Sequence, residues 1–149
     1  SPLIPEDPYL KAEMRRIQWI VAADTQPYQN IPFIIQAMGE WGMKKAQPIK
    51  HPLRKHFINR EFSAIEEILK NVSGRYCVGD NVSYADCFLI PQIRNALASD
   101  IPLEKDFPNL NKVWKNMLDL PNVLDIFERA GGIIQPIVVD EKKLKEYVE

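Results

Sequence analysis

Proline fixes its own φ and has no amide hydrogen, so it is tolerated in the first turn of a helix and disrupts a helix interior. This chain of 149 residues holds twelve prolines and only six glycines. The prolines therefore act as punctuation, and the stretches between them decide the fold. Those stretches repeat apolar side chains at three-to-four-residue spacing, the period of an amphipathic helix, and none shows the alternation of a half-buried strand. The predicted class is all-α, a bundle of about six helices, at a length that suits one domain with a sizeable core.

Leu10, Met14, Ile17 and Val21 predict a helix from about Pro8 to Asp24, with Pro8 in its first turn. A second helix is expected from Pro27, bearing Ile31, Ile34, Ile35, Met38 and Trp41, with Pro32 bending it or fixing its first turn. Ile58, Phe62, Ile65, Leu69 and Val72 predict a third from Phe57 to Val72, closed by Ser73-Gly74. Tyr76-Cys77-Val78 is too short to found a sheet and reads as an extended connector that plugs the core. Asp106-Phe107-Pro108 opens a helix with Val113, Trp114 and Met117, and Pro121 a short one with Val123, Leu124 and Phe127 that ends at Gly131-Gly132. The domain is read as residues 1–132, and residues 133–149 as a Pro-interrupted, charged tail.

The helix from Ser83 to about Ala98 occupies the centre of this scheme. Gly79-Asp80 is turn chemistry, and Ser83 followed by Asp86 is a capping box in which Asp replaces Glu or Gln, with Val82 and Cys87 at the positions of a hydrophobic staple. The residues that follow, Ala85, Cys87, Phe88, Leu89 and Ile90, are apolar all round, which places the helix inside the bundle, where an uncapped end is costly. Ser83→Ala should therefore cost about 1 kcal/mol or more. Capping accounts for Asp86 more fully than acid catalysis does, because no second acid is spaced to work with it.

Nineteen basic against twenty acidic residues give a net charge of −1. No overall basic field exists to hold nucleic acid. No apolar run approaches the ~18–20 residues of a membrane span, and Ser1 to Glu6 lacks the plan of a secretion signal. Two cysteines, Cys77 and Cys87, without CxxC spacing fit a reducing cytosol and apolar packing roles. A cytoplasmic location is expected. His51 and His56, five apart, do not share a helix face as metal ligands at i, i+4 would, so no metal site is expected. The basic run from Lys44 to Arg60 reads as a solvated helix face and loop, or as an anion-attracting rim. No nucleophile with a base, phosphate-cradling loop or paired carboxylates stand out.

The segment Tyr76-Cys77-Val78-Gly79-Asp80-Asn81-Val82-Ser83-Tyr84-Ala85-Asp86 resembles the stretch of glutathione transferase C-terminal domains that runs from a Gly-Asp turn into their capped, buried helix. Leu89-Ile90-Pro91-Gln92-Ile93-Arg94-Asn95-Ala96 and Thr25-Gln26-Pro27-Tyr28-Gln29-Asn30 narrow the resemblance to the zeta class, the maleylacetoacetate isomerases, and Leu3 to Pro8 resembles the linker into that class's helical domain. The resemblance covers about Leu3 to Phe127. It implies a glutathione transferase C-terminal-like bundle that lacks the family's N-terminal thioredoxin-like domain, where glutathione binds and its thiol is activated at a helix N-terminus. The implied reaction is thiolate addition to a cis double bond, rotation and elimination, converting maleylacetoacetate to fumarylacetoacetate in tyrosine breakdown. This domain would wall the apolar substrate site and position the acid's carboxylates.

By position, Gln26 matches a family glutamine that hydrogen-bonds glutathione across the domain cleft; it also reads simply as a polar residue at a helix start beside Pro27. An arginine that the family places one turn after Asn95-Ala96 is replaced here around Ala98 and Ser99, and Arg94, one turn earlier, is the candidate substitute on the same helix. Leu53 and Glu61 also depart from the family pattern, in the direction of another electrophile. The implied parent is a homodimeric enzyme extending upstream by about 80 residues, the size of a small domain. This domain alone is expected to be inactive and to expose an apolar face. The competing reading is a non-catalytic transferase-like interaction module.

Overall fold

The computed structural model describes residues 2–30, Phe33 and 52–129. Most of the expected second helix, His51 and the tail lie outside the described residues. Helix α1, Pro8–Trp19, starts on the Asp7 side chain, which accepts from the Leu10 N–H at 2.8 Å, and buries Met14 and Ile17. The chain does not break near Asp24 as expected. It continues through a π-helical turn, Ile20–Thr25, directly into a short α2, Gln26–Gln29. Pro27 explains the widening: it has no N–H to give the Ala23 carbonyl, and its ring would crowd that carbonyl in an α-turn. In the wider turn the Gln26 N–H reaches the Val21 carbonyl instead, and the Thr25 hydroxyl donates to the Ile20 carbonyl at 3.2 Å.

Helix α3, Pro52–Val72, begins earlier than Phe57, with a proline in its first turn, where the missing N–H costs nothing. The expected apolar stripe, Ile58, Phe62, Ile65, Leu69 and Val72, is buried. Between α3 and the next helix the chain makes a tight return. Gly79 adopts φ +75°, and a side chain on Gly74 would collide with the Asp80 carboxylate and the Gly79 carbonyl. The Gly79 N–H donates to the Val72 carbonyl at 2.9 Å, and a lone bridge joins Ser73 to Gly79. Tyr76, Cys77 and Val78 are all buried, so this connector plugs the core.

Helix α4, Tyr84–Ala98, buries Ala85, Leu89, Ile90, Ile93 and Ala96. Its first turns are not covered all round, as the apolar run would suggest: Tyr84, Cys87, Phe88 and Pro91 form an exposed stripe, and Cys87 is therefore no buried staple. Pro91 lies inside the helix on that outer side, where water can take the carbonyl it leaves free. Asp106 closes a short helix α5, Leu103–Asp106, rather than opening the next, because Pro108 restarts the chain as α6, Pro108–Leu118; α7 is Pro121–Arg129. Helix α1 packs on α4, and α3 on α6. Edge-on ring pairs Phe62–Phe107 and Trp114–Phe127, at 5.7 and 5.6 Å between centroids, join α3 to the start of α6 and α6 to α7. Among the described residues there is no strand, and no helix is long and apolar enough to cross a membrane.

Candidate functional site

The π turn delivers Gln26 to the first position of α2, where its side chain is exposed. Its amide nitrogen donates to the Asn30 Oδ1 at 3.3 Å, which orients the group and leaves the carbonyl oxygen Oε1 for a ligand donor. One turn further on, Gln29 is buried and its amide donates to the Gln92 Oε1 of α4. The Oε1 of Gln29 itself has no hydrogen-bond partner. Arg94, half-buried, follows Gln92 by two residues. The buried amide pair thus ties the element carrying Gln26 to the part of α4 carrying Arg94.

Tyr28, the residue before Gln29, belongs to an aromatic cluster. Tyr28 stacks on Phe57 of α3 with centroids 4.5 Å apart, and Phe33 meets Tyr28 edge-on at 5.3 Å. The Arg60 guanidinium lies over the other ring of the stack, 5.1 Å from the Phe57 centroid. Arg54 contradicts the reading of the basic run as a wholly solvated face: it is buried, and burial lowers its pKa to about 10. His56 is exposed and packs edge-on against Phe57, whereas His51 lies outside the described residues. Among the described residues no group of His, Cys, Asp and Glu is placed to hold a metal.

The start of α4 is built differently. The Asp86 carboxylate is fully buried and accepts three hydrogen bonds, from the Ser83 N–H and hydroxyl at 2.8 Å each and from the Cys77 N–H at 2.9 Å. With the carboxylate fully buried and its three donors local, Asp86 presents no oxygen at the surface. Burial pushes the Cys77 thiol well up, and the Asp86 charge adds to it; burial and then Asp86 raise Cys87 as well. The chain's two thiols are thus the opposite of activated nucleophiles.

Two long-range pairings escape reading by period alone. Gln29 and Gln92 are sixty-three residues apart and meet only in the fold. Glu66 reaches across to α6 and accepts from the Asn109 N–H, the Asn109 side chain and the Leu110 N–H at 2.8, 2.8 and 3.0 Å, supplying the N-terminal cap that Phe107 cannot. The signal for it in the sequence is its position: Glu66 follows Phe62 by one turn, on the buried face of α3.

Residues 31–128 match the family model described as glutathione S-transferase, C-terminal domain. The chain is 36% identical to maleylacetoacetate isomerase of Mus musculus over 134 residues, 90% of this chain and 56% of that protein. Among solved structures, maleylacetoacetate isomerase from Anaeromyxobacter dehalogenans 2CP-1, with bound dicarboxyethyl glutathione and citrate in its active site, superposes with a TM-score of 0.72 at 25% identity, over 95% of this chain and 60% of that one. A maleyl pyruvate isomerase described as a bacterial zeta-class glutathione S-transferase gives 0.73 at 25% identity, over 92% and 62%. The chain therefore spans little more than half the length of the proteins it resembles.

Proposed function

Since the chain belongs to the glutathione S-transferase family through its C-terminal domain, we propose that it is the substrate-binding helical half of a glutathione-dependent maleylacetoacetate isomerase. The observation that carries this reading is the exposed Gln26 amide, oriented by Asn30 and set beside the α2–α4 tie, at the position where the resemblance puts a glutathione-bonding glutamine. The names and bound ligands of the relatives support the same reading. When bound, glutathione supplies the thiolate that adds reversibly to the cis double bond.

The chain's own share is to bind and orient. Gln26 Oε1 accepts a donor from glutathione. Arg94 provides the positive charge for a carboxylate of the substrate, a role that fits its place after Gln92 and the family arginine missing at Ala98. Thiol activation belongs to a thioredoxin-like domain of the parent, because Cys77 and Cys87 are both raised in pKa. That domain covers the exposed Tyr84 and Phe88 at the start of α4. Residues 1–132 form the helical domain, 133–149 its tail, and the parent works as a cytoplasmic homodimer.

The test is kinetic, in the full-length protein with glutathione and maleylacetoacetate. Gln26→Ala should raise KM for glutathione about three- to tenfold, the weight of one ligand hydrogen bond. Arg94→Ala should raise KM for the dicarboxylate about tenfold or more. Purified residues 1–149 should turn nothing over. Unchanged kinetics in both variants, or isomerase activity from residues 1–149 alone, defeats the reading.

A further inference from the structure

We infer that Thr25 is a positioning residue for Gln26: its buried hydroxyl holds open the π turn that sets the direction of Gln26 at the edge of the buried stripe. The inference rests on the role given to Gln26 above. Its physical basis is helical phase. Met14, Ile17 and Val21 keep α1 on the core, and in an unbroken α-helix Gln29 would sit roughly a quarter of a turn away from that stripe. A π turn takes in one extra residue and so sets the phase back by about 100°. The result is visible in the burial pattern: Gln29 is buried in line with Val21 and Thr25, while Gln26, at the edge of the stripe, is exposed.

Three features hold the extra residue in place. The Thr25 hydroxyl, on a side chain with no exposed surface, donates to the Ile20 carbonyl five residues back. Pro27 denies the Ala23 carbonyl its α-helical donor. The Gln29–Gln92 pair clamps the rotated end to α4. Were the turn to close as α-helix, Gln26 would swing about 100° around the axis and its amide would leave the direction in which Asn30 now holds it. A β-branched side chain alone does not hold the turn. The hydroxyl is the component that bonds across it, so Val, equal in shape, is the informative replacement.

The experiment compares Thr25→Val, Thr25→Ser, Pro27→Ala and Gln26→Ala in the full-length protein, with glutathione varied at saturating maleylacetoacetate and the reverse. Thr25→Val is expected to raise KM for glutathione about three- to tenfold, with kcat within about twofold and KM for maleylacetoacetate unchanged. Thr25→Ser should restore the wild-type value. Pro27→Ala, which returns the N–H that an α-turn needs, should act in the same direction as Thr25→Val and carries the test if the valine variant does not fold. If Gln26→Ala raises KM for glutathione and neither Thr25→Val nor Pro27→Ala does, the positioning role is wrong and the role of Gln26 stands. If Gln26→Ala has no effect, the role of Gln26 is lost and the positioning role with it. A valine defect that depresses kcat and both KM terms together and that serine does not rescue marks general damage and overturns the inference.

Discussion

The turn that launches α4 and the turn that joins α1 to α2 both set a helix boundary among buried polar groups, and they treat those groups in opposite ways. At the first, both Asp86 oxygens are used, by donors that all lie within nine residues of it, and the carboxylate is sealed from solvent. At the second, a regular helix is widened, Gln26 is left exposed, and the partner that buries Gln29 comes from a distant helix and leaves one oxygen unmet. A closed local network is a scaffold: it needs nothing from outside and has nothing to give. A widened turn with spare polar capacity costs stability, and such departures from local regularity concentrate where a protein binds something.

Removing Asp86 should therefore cost more stability than breaking any side-chain bond at the π turn. Asp86→Ala strands the Ser83 and Cys77 donors in a buried site and should cost about 3–5 kcal/mol, a large part of a domain's total stability of about 5–15 kcal/mol. The check is the urea midpoint of residues 1–149. Asp86→Asn, which keeps an acceptor but loses the charge, should fall between alanine and wild type. A loss below about 1 kcal/mol for Asp86→Ala would mean that the network is no scaffold, and the contrast between the two turns would fail.

The buried thiol beside this carboxylate adds a pH effect. The folded Cys77 thiol titrates well above its ordinary value of 9.0, first because it is buried and then because Asp86 is beside it. Above about pH 9 the unfolded chain has released this proton and the native chain has not, so the unfolded state binds fewer protons and stability falls as pH rises. The contribution is intact below about pH 9 and declines by up to about 1.4 kcal/mol per pH unit above it. Urea midpoints from about pH 7 to about pH 10.5 should show this slope in the wild type and a shallower one in Cys77→Ala, where the raised Cys87 remains. Equal slopes would mean that burial does not hold the folded Cys77 thiol above the unfolded one.

Legibility follows the same divide. The start of α4 is written within a dozen residues, as a turn glycine, a serine and an aspartate at i+3, so local chemistry alone places the helix at Tyr84. The apolar periods of α1 and α3 likewise need only their own neighbours. What local reading does not reach is anything settled between elements. The exposure of Phe88 depends on which faces of α4 have neighbours, the burial of Arg54 on how α3 packs, and the cap on α6 on a glutamate forty-three residues upstream of Asn109. The π turn is an intermediate case. Pro27 signals a disturbance, but whether a helix breaks or widens there depends on Gln92 waiting on another helix to take Gln29. Gln26 and Arg94 emerge from resemblance rather than from spacing, because a ligand-bonding glutamine or arginine on a helix has no period of its own.

The smallest effect is the most discriminating one. The Gln29–Gln92 pair joins two side chains, so both halves can be replaced, which the Asp86 network does not allow because two of its three donors are backbone groups. Gln29→Leu or Gln92→Leu alone strands a buried amide and should cost about 1–2 kcal/mol. With both replaced by leucine, no amide remains to be satisfied and an apolar contact takes its place, so the double variant should lie within about 1 kcal/mol of wild type, a coupling that a double-mutant cycle on urea midpoints reads directly. Additive losses would show that the amides contribute to folding as the Asp86 bonds do. Near-neutral stability of the double variant would instead mean that the pair is dispensable to the fold, leaving its hold on the rotated end of α2 as the reason for two buried glutamines.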